Sequence, residues 1–430
     1  MIAPTFREAL RYWLKLGLTS FGGPAGQISM MSTELVEKRR WISHSHFLHA
    51  LNFCMLLPGP EAQQLATYLG WRLHGWRGGL AAGLLFILPS VLLLYFLSWL
   101  YFAGGHLPWL AALFAGLLPA VIAIVAVALL KIGRRVLRTP SHWLIAFASF
   151  SLIHFVGLSF VPIILGSLVL GMAGARFFPA HFSTAASSAE DPPERSPPLS
   201  LPRPPSQTWR RSLSTLLLGL TIWWLPLIVL AQLLGWQSTL TQQGLFFSKA
   251  ALVTFGGAYA VLPYVAQQAV ERFAWLSTPQ MIAGLGLAET TPGPLVIVLQ
   301  FVGFAGGWHH PGPFSPLLGA TLGAAITTWA TFAPCFLFIF LGAPLMERLR
   351  QLRILGAALS AVTAAVTGVM LNLAVIFTQS TIFPIPGGGP DWFVLWTSPL
   401  AFALLWTGRL HILPLLAACT MLNLLLSALA

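Results

Sequence analysis

Long apolar stretches dominate the chain, and short polar ones separate them. Five of these stretches contain no Asp, Glu, Lys or Arg at all: residues 80–102, 107–130, 213–234, 317–341 and 355–377. A helix of about 20 apolar residues can span the ~30 Å hydrocarbon core of a bilayer, where lipid cannot satisfy unpaired backbone groups. The pattern therefore predicts an all-α polytopic membrane protein.

Composition strengthens this prediction. The 430 residues are 57% hydrophobic and 8% charged, whereas soluble domains are about 25% charged. The net charge of +12 does not indicate a nucleic-acid partner, because basic residues of membrane proteins collect in cytoplasmic loops. Residues 1–17 contain no apolar segment followed by a cleavage site, so we expect no removable signal peptide.

Motifs recur along the chain at fixed intervals. "SFGG" at 20–23 returns as "TFGG" at 254–257, "WIS" at 41–43 as "WLS" at 275–277, and "PGP" at 58–60 as "PGP" at 292–294, always at an interval of 234 in sequence number. "FILPS" at 86–90 aligns with "TFAPC" at 331–335, an interval of 245. Internal repeats of this kind are typical of transporters, in which substrate binds between the repeats. We predict membrane repeats at 1–176 and 212–430, joined by a disordered Pro/Ser-rich linker at 177–211.

The placement of basic residues predicts how the repeats lie in the membrane. Residues 1–15, 34–40, 71–79 and 131–138 together contain 12 Lys and Arg, and residues 101–108 contain none. All four basic stretches face one side only if the segments around the motifs are re-entrant hairpins, each made of two half-helices. The positive-inside rule makes that side cytoplasmic, and the linker with it. The single crossing at 213–234 would then invert the second repeat.

Glycine and proline break the apolar pattern at the two "FGG" and the two "PGP" motifs. A half-helix that begins at such a break directs free N–H groups and the positive end of its dipole into the protein. Four such ends near the membrane midplane predict a site for an anion. Alternatively, these clusters are kinks that help helices pack.

The residues predicted to bind substrate belong to the breaks or lie beside them: Ser20, Gly22, Gly23, Pro58, Gly59, Pro60, Gln64, Thr254, Gly256, Gly257, Thr290, Thr291, Pro292, Gly293 and Pro294. Glu61 and Glu289 are the carboxylates nearest the breaks. Because intramembrane carboxylates are rare and burial favours their protonated form, both are candidates for proton coupling. For Glu61, capping of its own helix is the alternative. Lys15, Arg72 and Lys249 could attract the anion, or could extend to the lipid headgroups.

Other chemistry has little support in the sequence. The three cysteines, Cys54, Cys335 and Cys419, lie in apolar segments without metal-ligand spacing, and the histidines lack neighbouring ligands, so no metal or other cofactor is predicted. There is no phosphate-binding loop, dinucleotide fingerprint or nucleophile elbow. We therefore predict neither nucleotide hydrolysis nor a catalytic residue.

Several motifs of the sequence resemble those of a known family. "FGGPAGQISMM", "ELVEKRRWIS", "LPGPEAQQLATYLGW" and "GLLFILPS" in the first half, with "TFGGAYAVLPYV" and "AETTPGPLVIVLQFVGF" in the second, are similar to chromate transporters of the long two-domain bacterial form. The resemblance implies export of chromate in exchange or symport with other ions, chromate resistance, and sulfate as a related anion. The family's motif residues carry over to Phe21, Pro24 and Phe255 as well as to the glycines and prolines of the breaks. The long linker departs from the family pattern.

The sequence thus predicts a multi-pass transporter of the bacterial inner membrane, with chromate or sulfate and the lipid bilayer as its partners. Three alternatives stay open: a sulfate or other oxyanion carrier of the same fold, a membrane-embedded enzyme acting on lipid phosphates, and a scaffold subunit. The direction of flux, the coupling ion and homo-oligomer formation are not determined by the sequence.

Overall fold

The computed structural model describes residues 4–105, 107–177, 209–345, 353–384 and 388–429. Within these ranges the chain forms sixteen α-helices and no strand, which confirms the predicted all-α fold. In chain order they are α1 (Phe6–Thr19), α2 (Gly23–Ser32), α3 (His44–Leu56), α4 (Glu61–Gly104), α5 (Pro108–Val136), α6 (Pro140–His154), α7 (Phe160–Phe177), α8 (Trp209–Leu234), α9 (Thr239–Val253), α10 (Ala258–Ala266), α11 (Thr278–Thr290), α12 (Val298–His309), α13 (Pro316–Gly342), α14 (Arg353–Ile382), α15 (Trp392–Trp406) and α16 (Ile412–Leu429).

Seven helices in the described part of the chain are long and apolar enough to cross a membrane: α4, α5, α7, α8, α13, α14 and α16. They include the five charge-free stretches of the sequence. The protein is therefore a multi-pass membrane protein. Several of the remaining helices, α1, α3, α9 and α11 among them, have 13 to 15 residues, too few to cross alone.

The helix bounds recur at the intervals of the motifs. A π-helical turn at Thr33–Lys38 returns at Gln267–Arg272, an interval of 234, and α3 returns as α11 at the same interval. To within one position, α5 returns as α14 at the interval of 245, and α6 and α7 return as α15 and α16 at an interval of 252. Arg40 and Ala274, which are also related by the interval of 234, are the non-glycine residues with positive φ among those described. The helix α8 has no such counterpart.

The helices α1 and α2 double back on each other, as do their counterparts α9 and α10. The guanidinium carbon of Arg39, just after the π turn, lies 5.5 Å from the ring centre of Tyr12 on α1. The rings of Tyr12 and Trp41 are 5.8 Å apart, and the equivalent rings of Phe246 and Trp275 are 5.7 Å apart. The two helices of each pair therefore run back alongside each other, and the re-entrant position of these hairpins in the membrane stays a prediction.

A second bend lies inside α4. Gly75 leaves the helical region with φ 63°, and Gly78 then packs against Gly70 so closely that a Cβ on either residue would overlap the other's carbonyl oxygen. The helix consequently has a short first arm at 61–74 and a long second arm at 75–104. In the second half of the chain, α12 and α13 form the corresponding pair.

The second arm of α4 packs antiparallel to α13, its counterpart. Near the start of the arm, Gly83 lies against Phe336, close to the end of α13. Toward the other end of the arm, the hydroxyl oxygens of Tyr95 and Thr321 are 2.8 Å apart. Opposite directions are what an inverted pair of repeats requires, although the inversion itself stays a prediction.

Most of the predicted linker lies outside the described residues. Its ends are helical, because Phe177 is the last residue of α7 and residues 209–211 begin α8. Residues 178–208 are not among those described, so the predicted disorder of the linker stays a prediction.

Candidate functional site

The glycines of the four breaks share an unusual backbone conformation. Their φ angles lie between 71° and 129° at Gly22, Gly23, Gly59, Gly256, Gly257 and Gly293. A Cβ disfavours this region of backbone space. Glycine is therefore favoured at the breaks by conformation, and equivalent glycines have similar φ angles.

Each "PGP" break is hydrogen-bonded to the opposite half of the chain. The N–H of Gly59 donates to the carbonyl oxygen of Thr254 at 2.7 Å, and the N–H of Gly293 donates to the carbonyl oxygen of Ser20 at 2.9 Å. The two donors are repeat equivalents of each other, and so are the two acceptors. The breaks thus meet in two pairs, "TFGG" with the first "PGP" and "SFGG" with the second. These two glycine N–H groups are used in the pairing and cannot also bind an anion.

A long helix of the opposite half packs against each of these glycines. A Cβ on Gly59 would lie 2.9 Å from Sγ of Cys335 on α13, and a Cβ on Gly293 would lie 2.5 Å from Oγ of Ser90 on α4. Ser90 and Cys335 are equivalent at the interval of 245. Sequence reasoning used them only to align the repeats and did not assign them to the site. Their position directly after an aligned helix proline was the signal.

The helices that begin at the breaks have no side-chain N-cap. This holds for α2 at Gly22, α4 at Pro60, α10 at Gly257 and, at Pro294, the short 3₁₀ turn leading into α12. By contrast, Ser43 caps α3 and Ser277 caps α11, the helices that lead toward the "PGP" breaks. First-turn N–H groups without a cap need another acceptor, and the oxygens of an oxyanion can serve.

Buried polar side chains lie beside the breaks. The amide nitrogen of Gln27 donates to the carbonyl oxygens of Gly293 and, at 3.2 Å, Ser20. The amide nitrogen of Gln64 donates to the carbonyl oxygen of Pro58 at 2.7 Å. The hydroxyl of Ser20 is fully buried and has no hydrogen-bond partner among the described residues. Such a group is costly to leave unpaired, so it is a donor available to a ligand. Gln27 was not predicted from the sequence.

The predicted threonine donors are oriented differently from what we expected. The hydroxyls of Thr254, Thr290 and Thr291 donate to backbone carbonyl oxygens three or four residues earlier, at 2.6 to 2.8 Å. Threonine commonly bonds its own helix in this way. In this structure their hydrogens are therefore directed at the helix and not at an anion.

Both candidate carboxylates lie at the start of α10. A Cβ on Gly257, the first residue before α10, would be 3.7 Å from a carboxylate oxygen of Glu61. The hydroxyl of Tyr259, in the first turn of α10, donates to Glu289 at 2.5 Å. Glu61 is also the first residue of α4 and so lies between the positive ends of two helices. Tyr259 was not predicted, because nothing in its local sequence separates it from a core tyrosine.

The start of α2, the counterpart of α10, has a different environment. The positions equivalent to Glu61, Tyr259 and Glu289 are Leu295, Ala25 and Met55. A Cβ on Gly22 or Gly23 would meet no atom within 4 Å. The two equivalent helix ends thus differ. The start of α10 lies next to two carboxyl groups, whereas at the start of α2 the equivalent positions are uncharged and the space next to the glycines is open.

The candidate cations are spread along the hairpins. Lys15 on α1 and Lys249 on α9 are repeat equivalents, and both are exposed. Arg72 lies away from the breaks, where its Nε donates to Nε2 of His46 at 3.3 Å near the start of α3. The structure therefore does not bring Arg72 to the candidate anion site.

Comparison with known proteins matches two separate regions of the chain. A family model described as "Chromate transporter" matches residues 7–172 and 241–424. The starts of the two regions are related by the interval of 234 and their ends by the interval of 252, as are the repeated helices. The helix α8 and residues 178–208 lie outside both regions.

Curated relatives cover most of the chain. A "Chromate transport protein" of Pseudomonas aeruginosa is 31% identical over 96% of this chain and 91% of its own length. One of Cupriavidus metallidurans is 30% identical over 89% and 86%, and a "Probable chromate transport protein" of Synechococcus elongatus is 29% identical over 89% and 87%. No solved structure shows a significant match. The chain therefore belongs to the chromate transporter family.

Proposed function

We propose that this protein is a secondary transporter that exports chromate through a site formed by the four breaks. The observation that carries the proposal is the reciprocal pairing of Gly59 with Thr254 and of Gly293 with Ser20. This pairing gathers helix ends from both halves into one region, where their uncapped N–H groups suit a tetrahedral dianion. The relatives named as chromate transport proteins support chromate as the substrate.

The membrane potential favours export of such an anion. Moving one elementary charge through 100 mV changes its free energy by about 2.3 kcal/mol, so a dianion leaving an inside-negative cell gains about 4.6 kcal/mol. We infer that the potential or a proton gradient drives alternating access between two inverted repeats. The antiparallel packing of α4 and α13 supports this arrangement. In this proposal the protein lies in the inner membrane with its linker in the cytoplasm.

Glu61 and Glu289 are the proposed proton-coupling groups. An ionised Glu61 occupies the positive ends of α4 and α10 and repels an oxyanion nearby. Protonation removes that charge, and with it the repulsion of an oxyanion bound at the neighbouring break. By linkage, a bound oxyanion would in turn disfavour ionisation of Glu61. In this mechanism the start of α2, with the Ser20 hydroxyl beside it, holds the anion, and the start of α10 responds to the proton.

Sulfate is the alternative substrate, because it is also a tetrahedral dianion of similar size. The decisive experiment measures chromate and sulfate accumulation in inverted membrane vesicles that contain this chain, under an imposed potential or pH gradient. We expect gradient-dependent chromate accumulation that sulfate inhibits. Transport of sulfate without chromate would favour the alternative substrate. The absence of both fluxes from correctly folded protein would overturn the proposed anion site.

Ser20→Ala should weaken chromate binding without unfolding the protein. A hydrogen bond to a charged group contributes about 1.5–3 kcal/mol, so we expect the KM for chromate to rise about tenfold or more. The folded yield should not fall, because the serine hydroxyl has no partner to lose among the described residues. Thr254→Val is the matched control, since Thr254 is the repeat equivalent and its hydroxyl bonds its own helix. Equal KM values for the two variants would contradict the assignment of Ser20.

A further inference from the structure

A long groove lies between α4, α8 and α13, outside the candidate anion site. Its volume is about 1290 Å³, larger than the roughly 300–1,000 Å³ of most small-molecule pockets. Apolar side chains form most of its walls, among them Leu84, Ile87, Leu218, Ile222 and Phe336. An inorganic anion finds few donors along such walls, so the groove suits an elongated apolar ligand.

Contacts between the walls show the directions in which the three helices run. Gly219 on α8 packs against Leu337 on α13, and the indole N–H of Trp329 on α13 donates to the carbonyl oxygen of Trp223 at 3.3 Å. As α8 advances, its partners on α13 come earlier in the chain, so the two helices are antiparallel. The second arm of α4 is also antiparallel to α13. The start of α8 therefore lies at the same end of the groove as the bend at Gly75.

Basic side chains collect at that end. Arg72 and His74 line the groove from the bend of α4, and Arg211 lines it from the start of α8. At the far end the lining includes the uncharged pair of Tyr95 and Thr321, which are hydrogen-bonded to each other. The groove thus has one cationic mouth and a long apolar body.

We propose that this groove binds one anionic phospholipid. Its headgroup phosphate contacts Arg211 and Arg72, and its acyl chains lie along α4 and α8. Arginine pairs with phosphate through two parallel N–H donors, and basic residues at a membrane surface attract anionic lipids. Leu84 and Leu218 are 50% and 63% exposed without such a ligand, and acyl chains would cover them. Trp76, at the mouth, is placed as aromatic residues are at a membrane interface.

This assignment gives Arg72 a role that the anion site does not. The proposal does not depend on chromate being the substrate. It also gives α8, which has no counterpart in the repeats, a binding function shared with the two helices that carry Ser90 and Cys335.

The test is native mass spectrometry of the purified full chain titrated with phosphatidylglycerol, with phosphatidylcholine as the neutral comparison. We expect tighter binding of phosphatidylglycerol, and a loss of about tenfold or more in Arg211→Gln, the change that follows from removing a hydrogen bond between an arginine and a phosphate. Arg72→Gln should show a similar loss. Arg210→Gln is the matched control, because this neighbouring arginine does not line the groove.

Three results would overturn the proposal. The first is equal binding of both lipids, and the second is the same loss in Arg210→Gln as in Arg211→Gln. The third is a disulfide-linked dimer formed by Leu218→Cys in native membranes, which would make a second copy of the chain the occupant. Size-exclusion chromatography of each variant establishes that altered lipid binding does not come from misfolding.

Discussion

Gly59→Ala is expected to abolish transport and to lower the yield of folded protein sharply. The φ of 129° lies where residues with a side chain are strained by about 1–3 kcal/mol. The added Cβ would also lie 2.6 Å from the amide nitrogen of Gln64 and 2.9 Å from Sγ of Cys335. Overpacking of this kind costs about 1–3 kcal/mol more. Fluorescence-detected size-exclusion chromatography and chromate flux in vesicles measure the two effects.

Gly22→Ala is the control that separates strain from crowding. Its φ is 93°, but a Cβ there would meet no atom within 4 Å. We expect the cost of the backbone conformation alone, about 1–2 kcal/mol, and a largely folded protein. If both variants lost the same folded fraction, the contact of Gly59 with α13 would contribute nothing to the structure.

Glu61→Gln is expected to remove most of the pH dependence of transport. In the wild type, lowering the pH protonates Glu61 and removes a negative charge beside the anion, so apparent affinity should rise as the pH falls. Two unit charges roughly 10 Å apart at an effective dielectric constant of 20 interact by about 1.7 kcal/mol. This corresponds to a change in KM of about tenfold or more. The variant should hold the low-pH affinity throughout, as measured by KM between pH 5 and 8.

Comparison of each variant with the wild type at the same pH cancels the titration of chromate itself. Glu271→Gln removes an exposed carboxylate from the π-helical turn that follows α10 and should leave the pH profile unchanged. Tyr259→Phe removes the hydrogen bond to Glu289 and tests whether that bond determines how much Glu289 contributes to the pH dependence of transport. Proton coupling through these carboxyls would be wrong if Glu61→Gln and Glu289→Gln both kept the wild-type profile.

The apolar pattern was sufficient to predict an all-helical membrane protein and its five long charge-free helices. Helix bounds follow from apolar length and from the turn residues that end each segment, and both are local properties. The two motif intervals, 234 and 245, reappear in the helices because each repeat folds from its own local pattern. The interval of 252, which relates α6 and α7 to α15 and α16, was not found from the sequence, because the motifs in these segments are too weak to reveal it.

Contacts between residues of the two halves could not be predicted from the sequence. Motif spacing shows that Ser90 and Cys335 are equivalent, but only packing determines that each touches the "PGP" glycine of the other half. The direction of a threonine hydroxyl could not be predicted either, because carbonyl oxygens of its own helix compete with a ligand for the hydrogen. The hydroxyl of Thr254 donates to such a carbonyl oxygen. Arg72 is close to the first "PGP" break along the chain, but the first arm of α4 places it away from that break, beside His46.

The reciprocal bonds of Gly59 and Gly293 bear on how such a protein can be assembled. Each half supplies a donor that only the other half accepts, so a single half presents an incomplete and unsatisfied centre. Linking both halves through α8 keeps them in one polypeptide, so each donor always has its acceptor within the same chain. Each half then occupies a fixed place, and equivalent positions need not carry the same residue, as the carboxyl groups at only one of the two equivalent helix ends show.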